Sequence, residues 1–408
     1  MTITLSALAR AAVAPAALIV AGLALPVAGN AKTVSGTNDG LSWTASNKIV
    51  AVGSTATTAG GGNPAYLAQA PKYSGVVGLT MEYANGDVFV CSGSLLSDRR
   101  SILTAGHCVS SGFGTEQPVA VNAYFYDGNA ADPQYYLDLF GLPLGPGVTK
   151  QSVGNIFVNP DYTGEVIDQN DIAVVQLNQE APAWAQSYYL YDGDLNEAAY
   201  NIVGYGVRSD TGGSVGANLG TGRRRQAENV FDYAWGDAAF GGVFTSTDFT
   251  PGPNGCAGVG TNWFCGDALI DFSYVSDFDN GLPGQDASCI IAVLVGGVVP
   301  DDEFCGLGLG LMEGTSAGGD SGGPEFINGQ IASVTSYGLT FGSGAGDIDD
   351  NLNDTFGEFG GYVPVSIHRA FILGSMVPEP ATWLQMIGGF ALLGGAMRRR
   401  VRKVAFAA

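Results

Sequence analysis

Charge is scarce in this 408-residue chain, and positive charge scarcest: charged residues make up 13%, with 17 Lys and Arg against 38 Asp and Glu. The formal net charge of −21 argues against nucleic acid or an anionic membrane surface as partner, since both recruit basic patches. Six of the 17 cations lie at the ends: Arg398, Arg399, Arg400, Arg402 and Lys403 in the last eleven positions, and Arg10 near the start. Histidine is rarer still, with only His107 and His368, so imidazole chemistry has two candidates. No histidine lies near Cys256, Cys265, Cys289 or Cys305, which argues against a zinc site there. EF-hand spacing is missing too. The acidic stretches Asp277–Asn280 and Asp347–Asp354 therefore read as solvated loops, with structural calcium as the lesser alternative and no other cofactor expected.

What the chain has in abundance is glycine, 62 residues of it, and one glycine-rich stretch carries chemistry. Gly314 to Phe326 reads Gly-Thr-Ser-Ala-Gly-Gly-Asp-Ser-Gly-Gly-Pro-Glu-Phe. A serine hydroxyl is a poor nucleophile unless a base takes its proton and donors await the oxyanion. Glycines around Ser321 let the backbone turn so that amides face the reacting carbon. The base is expected in Ser101–Cys108, where Ile102-Leu103-Thr104 reads as a strand leading to a turn that presents His107. The carboxylate is expected at Asp171, at the mouth of the apolar strand Asp171–Leu177, where an unpaired acid would be desolvated. His368, at the start of a C-terminal helical stretch, is expected to sit at the surface or cap that helix.

These blocks resemble those of trypsin/chymotrypsin-type serine peptidases of the bacterial secreted kind. Cys91–Leu96 followed by Leu103–Cys108 resembles the histidine block, Asn170–Leu177 the aspartate block, and Gly319–Pro324 the serine block. The order His107, Asp171, Ser321 is that of the family. The resemblance implies a Ser-His-Asp triad, an oxyanion hole from the amides of Gly319 and Ser321, and a hydrogen bond from Ser336 near Asp171. It also implies an all-β fold of two six-stranded antiparallel barrels with a short C-terminal helix. Thr315 would line the floor of the specificity pocket and Gly338 its wall, so an uncharged P1 residue is expected. The Cys91–Cys108 disulfide follows from the family. The remaining pairs, Cys256–Cys265 and Cys289–Cys305, are one of three possible connectivities. Ala317 stands where the family often has a cysteine, so the pocket must be braced in another way. Lys48-Ile49-Val50 resembles an activation cut whose new ammonium would pair with Asp320, making Lys32–Lys48 a short propeptide.

The ends read as addresses. Arg10 and the apolar run Ala11–Val27, followed by Gly29-Asn30-Ala31, form a secretion signal cut near Ala31. Val377–Thr382, the apolar stretch Trp383–Met397 and the arginine cluster resemble a PEP-CTERM sorting signal, with Pro378-Glu379-Pro380 as its motif. That layout implies an exosortase-type processing enzyme, transient membrane association through the C-terminal helix, and export to the envelope, surface or exterior of a Gram-negative bacterium. The expected division is a signal peptide (1–31), an arm or propeptide (32–72), a first barrel (73–185), a second barrel (186–376) and a sorting segment (377–408). Long surface loops are expected between about Phe231 and Pro300, and a structural role for Arg223-Arg224-Arg225. The competing function class is a non-catalytic surface binding or adhesion protein on the same fold; an esterase is a third.

Overall fold

The computed structural model describes residues 32–377 except 39, 49, 52–65, 114, 116, 129–132, 210, 246–261 and 297–303. The signal segment, Cys256 and Pro378-Glu379-Pro380 thus lie outside the described residues. An N-terminal hairpin, β1 (Thr33–Asn38) and β2 (Leu41–Asn47), precedes the short β3 (Val50–Ala51). Then come β4 (Val76–Glu82), β5 (Val88–Leu95), β6 (Ser101–Thr104), β7 (Ala120–Tyr126), β8 (Val148–Val158) and β9 (Ala173–Leu177). Their order is β5-β4-β7-β8-β9-β6, and β6 returns to pair with β5. The ring is closed and leaves no edge. Its interior holds inward residues from the strands around the ring, among them Leu79, Met81, Phe89, Ile102, Phe125 and Val175.

The second half contains β10 (Ala199–Gly204), β11 (Arg225–Val230), β12 (Tyr233–Ala234), β13 (Tyr274–Asp277), α1 (Ala287–Gly296), β14 (Pro324–Ile327), β15 (Gln330–Thr340), β16 (Phe359–Pro364) and α2 (Arg369–Ser375). Its strands run β11-β10-β14-β15-β16-β13-β12. The sheet curls into a half-barrel whose two ends, β11 and β12, are consecutive stretches of one segment. With only two α-helices among the described residues, the molecule has the chymotrypsin-like double-barrel architecture that the sequence led us to expect. The hairpin does not stand apart: β2 pairs antiparallel with β15, placing Asn47 opposite Tyr337 and Ser46 opposite Gly338.

Aromatic residues weld the two halves. Tyr135 packs 5.0 Å from Tyr124 of the first barrel and 5.1 Å from Tyr205 of the second, ring centre to ring centre. Buried Arg224 donates to the carbonyls of Ala68, Tyr73 and Tyr126, tying the start of β11 to the first barrel. The arginine triplet is therefore structural at this position, as expected. The described part of the stretch between Phe231 and Pro300 is not a set of surface loops. It supplies Trp235, Phe240, Phe244, Trp263 and Phe264 to an aromatic core that also takes in Trp43 of β2. Burying such rings outweighs the entropy of ordering the chain that carries them.

Candidate active site

Each member of the expected triad is delivered by a different local device. Thr104 ends β6, and the chain passes through Ala105 into a single 3-10 turn, Gly106–Cys108, which carries His107 at its centre. The Cys91–Cys108 disulfide ties that turn to β5. Asp171 lies just before β9, which starts at Ala173, two residues later than expected. Ser321 sits on the turn between Ala317 and Gly323, where the amide of Asp320 donates to Ala317 and that of Gly323 to Asp320. Gly322 has φ +76°, and a Cβ there would lie 2.0 Å from Thr104 Oγ1, so only glycine fits.

The structure brings the three together across the barrel interface. His107 Nε2 lies 2.7 Å from Ser321 Oγ, and its Nδ1 lies 2.6 Å from Asp171 Oδ2. Asp171 Oδ1 also accepts the His107 backbone N–H at 2.7 Å, a second contact between the same two residues that restrains the carboxylate. Ser336 donates its hydroxyl to Asp171 Oδ2, as expected. With Nδ1–H held by a carboxylate, the tautomer leaves Nε2 as acceptor for the serine proton. All three are buried, and Ser321 and Asp171 have no exposure at all.

The amides of Gly319 and Ser321 point to one place, and that place is filled. Both donate to the backbone carbonyl of Lys48, at 2.6 and 3.3 Å. The Lys48 amide in turn donates to Ser336 O at 3.2 Å, continuing the β2–β15 ladder into the cleft. Its side chain runs past Gly338, where a Cβ would come 2.2 Å from Lys48 Cε. The ammonium then forms an ion pair with Asp354, both side chains being largely buried. Burial alone would push Lys48 down, but Asp354 and Glu358, with Asp320 nearby, hold it above its ordinary value. Glu358 shapes this loop by accepting from the amides of Asn353, Asp354 and Thr355 and from the Thr355 hydroxyl. Burial, offset by Lys48 and reinforced by Asp354, pushes Glu358 up to about 7.

Thr315 lines the adjoining cavity of about 380 Å³, together with Ala317, Asp320, Asp354, Gly204 and Val207. Thr315 lines the cavity as expected, and two carboxylates share that lining: Asp354, from the loop before β16, and Asp320, next to the serine. Asp320 sits half-buried in the cavity wall, accepting from the amides of Gly206 and Ala317, and desolvation pushes it up to about 6. The missing bracing cysteine at Ala317 is compensated by backbone bonds, including the Gly314 amide to Glu228.

Residues 61–215 match the Trypsin family model. The match includes His107 and Asp171 and ends before Ser321. With the fold, it supports a trypsin/chymotrypsin-like serine peptidase, a hydrolase of protein or peptide substrates. No curated protein matches the chain.

Cys289 pairs with Cys305, and Cys265 is disulfide-bonded, its expected partner Cys256 lying outside the described residues. His368 is buried rather than at the surface; it occupies the N-cap position of α2, but its ring makes no capping bond and instead bonds Gln169 O at 2.6 Å. Among the described residues the acidic stretch Asp347–Asp354 gathers no cluster of three carboxylates, whereas Asp277 and Asp279 converge with Glu313. Sequence reasoning missed Ser92, whose amide and hydroxyl clamp the carbonyls of Ser321 and Gly319 from the first barrel. It also missed Asp354 as a pocket residue and Glu358 as the acid that holds the Asp354 loop. Among the described residues no helix is long and apolar enough to cross a membrane.

Proposed function

We propose that the chain is an endopeptidase that cleaves after lysine or arginine through an acyl-enzyme on Ser321. One arrangement carries this reading: a peptide carbonyl accepts from the amides of Gly319 and Ser321 while Ser321 Oγ is bonded to His107 Nε2. Ser321 Oγ attacks the carbonyl carbon and passes its proton to His107. Charge that develops on the carbonyl oxygen is met by the two amides, which are already oriented and cost no reorganisation. Asp171 keeps the ring in place and stabilises the imidazolium. His107 then protonates the leaving amine, and water repeats the sequence on the ester. Asp354 supplies the charge that selects a cationic P1 side chain, with Gly338 leaving room for its stem.

The same reading includes export under the N-terminal signal, sorting through Pro378-Glu379-Pro380 by an exosortase-type enzyme, and an activated form in which a freed ammonium meets Asp320. The test is labelling of processed protein with a fluorophosphonate, followed by hydrolysis of P1 Lys peptide amides. We expect label on Ser321, turnover of amides as well as esters, and loss of both in Ser321→Ala and His107→Ala. Processed protein that takes no label and turns over no amide would replace this reading with the binding-protein one.

A further inference from the structure

The cleft already holds a peptide, and that peptide is the protein's own. Residues Thr44 to Asn47 pair antiparallel with β15 from Thr340 to Tyr337. Lys48 follows with its amide on Ser336, its carbonyl in the cradle of the Gly319 and Ser321 amides, and its ammonium on Asp354. A strand bound along one wall, a cation in the pocket and a carbonyl in the oxyanion cradle is the arrangement of a substrate, not of a packing accident. The segment is also anchored along its length. Trp43 packs 5.3 Å from Phe264, Asn38 donates to Trp263 O, and Lys32 pairs with Glu165 at 2.8 Å. The anchoring residues, the lysine and the cleft all belong to one chain, which is the geometry that a cut in cis requires.

We propose that the enzyme's first substrate is its own Lys48–Ile49 bond, cut in cis, and that until the cut Leu41–Lys48 blocks the cleft against other substrates. This rests on the peptidase reading of the same site. Ser321 Oγ bonds to the Lys48 carbonyl carbon, its proton moving to His107 Nε2. The Lys48–Ile49 C–N bond breaks as His107 returns a proton to the Ile49 nitrogen. Water then attacks the Lys48 ester, giving its proton to His107 and regenerating the serine hydroxyl. The products are a Lys48 carboxylate and a free Ile49 amine. Because the anchoring contacts survive the cut, release of the segment is a separate, later step.

The full chain is purified as wild type and as Ser321→Ala, and the Lys48–Ile49 cut is followed by intact mass and N-terminal sequencing over a hundredfold range of protein concentration. The expected result is a first-order cut with the same half-life at every concentration, and an intact Ser321→Ala chain. A rate that rises with concentration, or a Ser321→Ala chain cut as fast as wild type, overturns the proposal. So does a wild-type chain that turns over P1 Lys amides while Lys48–Ile49 stays whole. If the bond is opened instead with an added lysine-specific protease and the product still takes no fluorophosphonate, the peptidase reading itself fails.

Away from the cleft, a second cluster concentrates negative charge with no ion pair among the described residues. Carboxylate oxygens of Asp277, Asp279 and Glu313 lie within 4.8 Å of one another, about twice a calcium–oxygen bond. Asp279 is 3% exposed and its Oδ2 has no hydrogen-bond partner. Backbone amides aim the others: Gly281 on Asp279 Oδ1, Ser288 on Asp277 Oδ2, Asp279 and Leu309 on the two Glu313 oxygens. The geometry points to a calcium site that pins the loop before α1 to the one before Ser321. Titration calorimetry on the full chain is expected to show one calcium ion bound, with binding lost in Asp279→Asn and in Glu313→Gln. Absence of binding by wild type overturns the site, as does undiminished binding by a folded Asp279→Asn.

Discussion

Replacing Asp354 by asparagine tests the acidic pocket at its most exposed assumption, that charge rather than shape selects the P1 residue. The Lys48 and Asp354 side chains are only 7% and 13% exposed, so solvent screens their attraction little. Removing one partner of a buried ion pair costs about 3–5 kcal/mol, because the other charge is left uncompensated. Glu358 stays within electrostatic reach of Lys48, which places the loss at the lower end. About 3 kcal/mol corresponds to roughly 150-fold in kcat/KM. The assay compares processed wild type and Asp354→Asn on matched peptide amides with Lys or Leu at P1. The Lys substrate is expected to lose about two decades, and the Leu substrate less than about threefold. An equal loss on both would mean that Asp354 supports the loop instead of reading charge. No loss on either would show that the Lys48 contact does not represent a substrate's.

Three further outcomes follow from the same geometry. Gly338→Val would place a Cβ 2.2 Å from Lys48 Cε. Turnover of P1 Lys amides is expected to fall by more than about tenfold, with a smaller loss for P1 Ala, as measured by kcat/KM. Burial pushes Glu325 up to about 8, offset by donation from Ser333 and Thr335. Its folded value lies above the unfolded one, so the stability it contributes is complete below about pH 4.5 and is lost as pH rises through about 8. Glu325→Gln should flatten the fall in Tm between pH 5 and 8 seen by calorimetry, and a steeper fall would refute the assignment. Replacing both Cys91 and Cys108 by serine opens a loop of 17 residues. The expected cost is about 3 kcal/mol in denaturant unfolding, with the larger loss in activity because His107 sits on the tethered turn.

The local devices were legible because each is written in adjacent residues. Glycines at 319, 322 and 323 mark the turn that presents Ser321, and Ile102-Leu103-Thr104 marks the strand that delivers His107. The insert between Phe231 and Pro300 was misread because glycine-rich, weakly periodic sequence resembles loop. Its tryptophans and phenylalanines find one another only when Trp43, from the far end of the chain, joins them.

Residue chemistry in linear order determined the triad, since a nucleophile, a base and a carboxylate each need their own local backbone to be presented. The sequence also determined the first disulfide and the architecture those blocks imply. It did not determine the pocket. Asp354 is 306 residues from Lys48 and 33 beyond Ser321, and its meaning arises only when β2 lies against β15. Electrostatic selectivity depends on distance in space and on exclusion of water. Neither exists until the two halves close around the chain's own lysine.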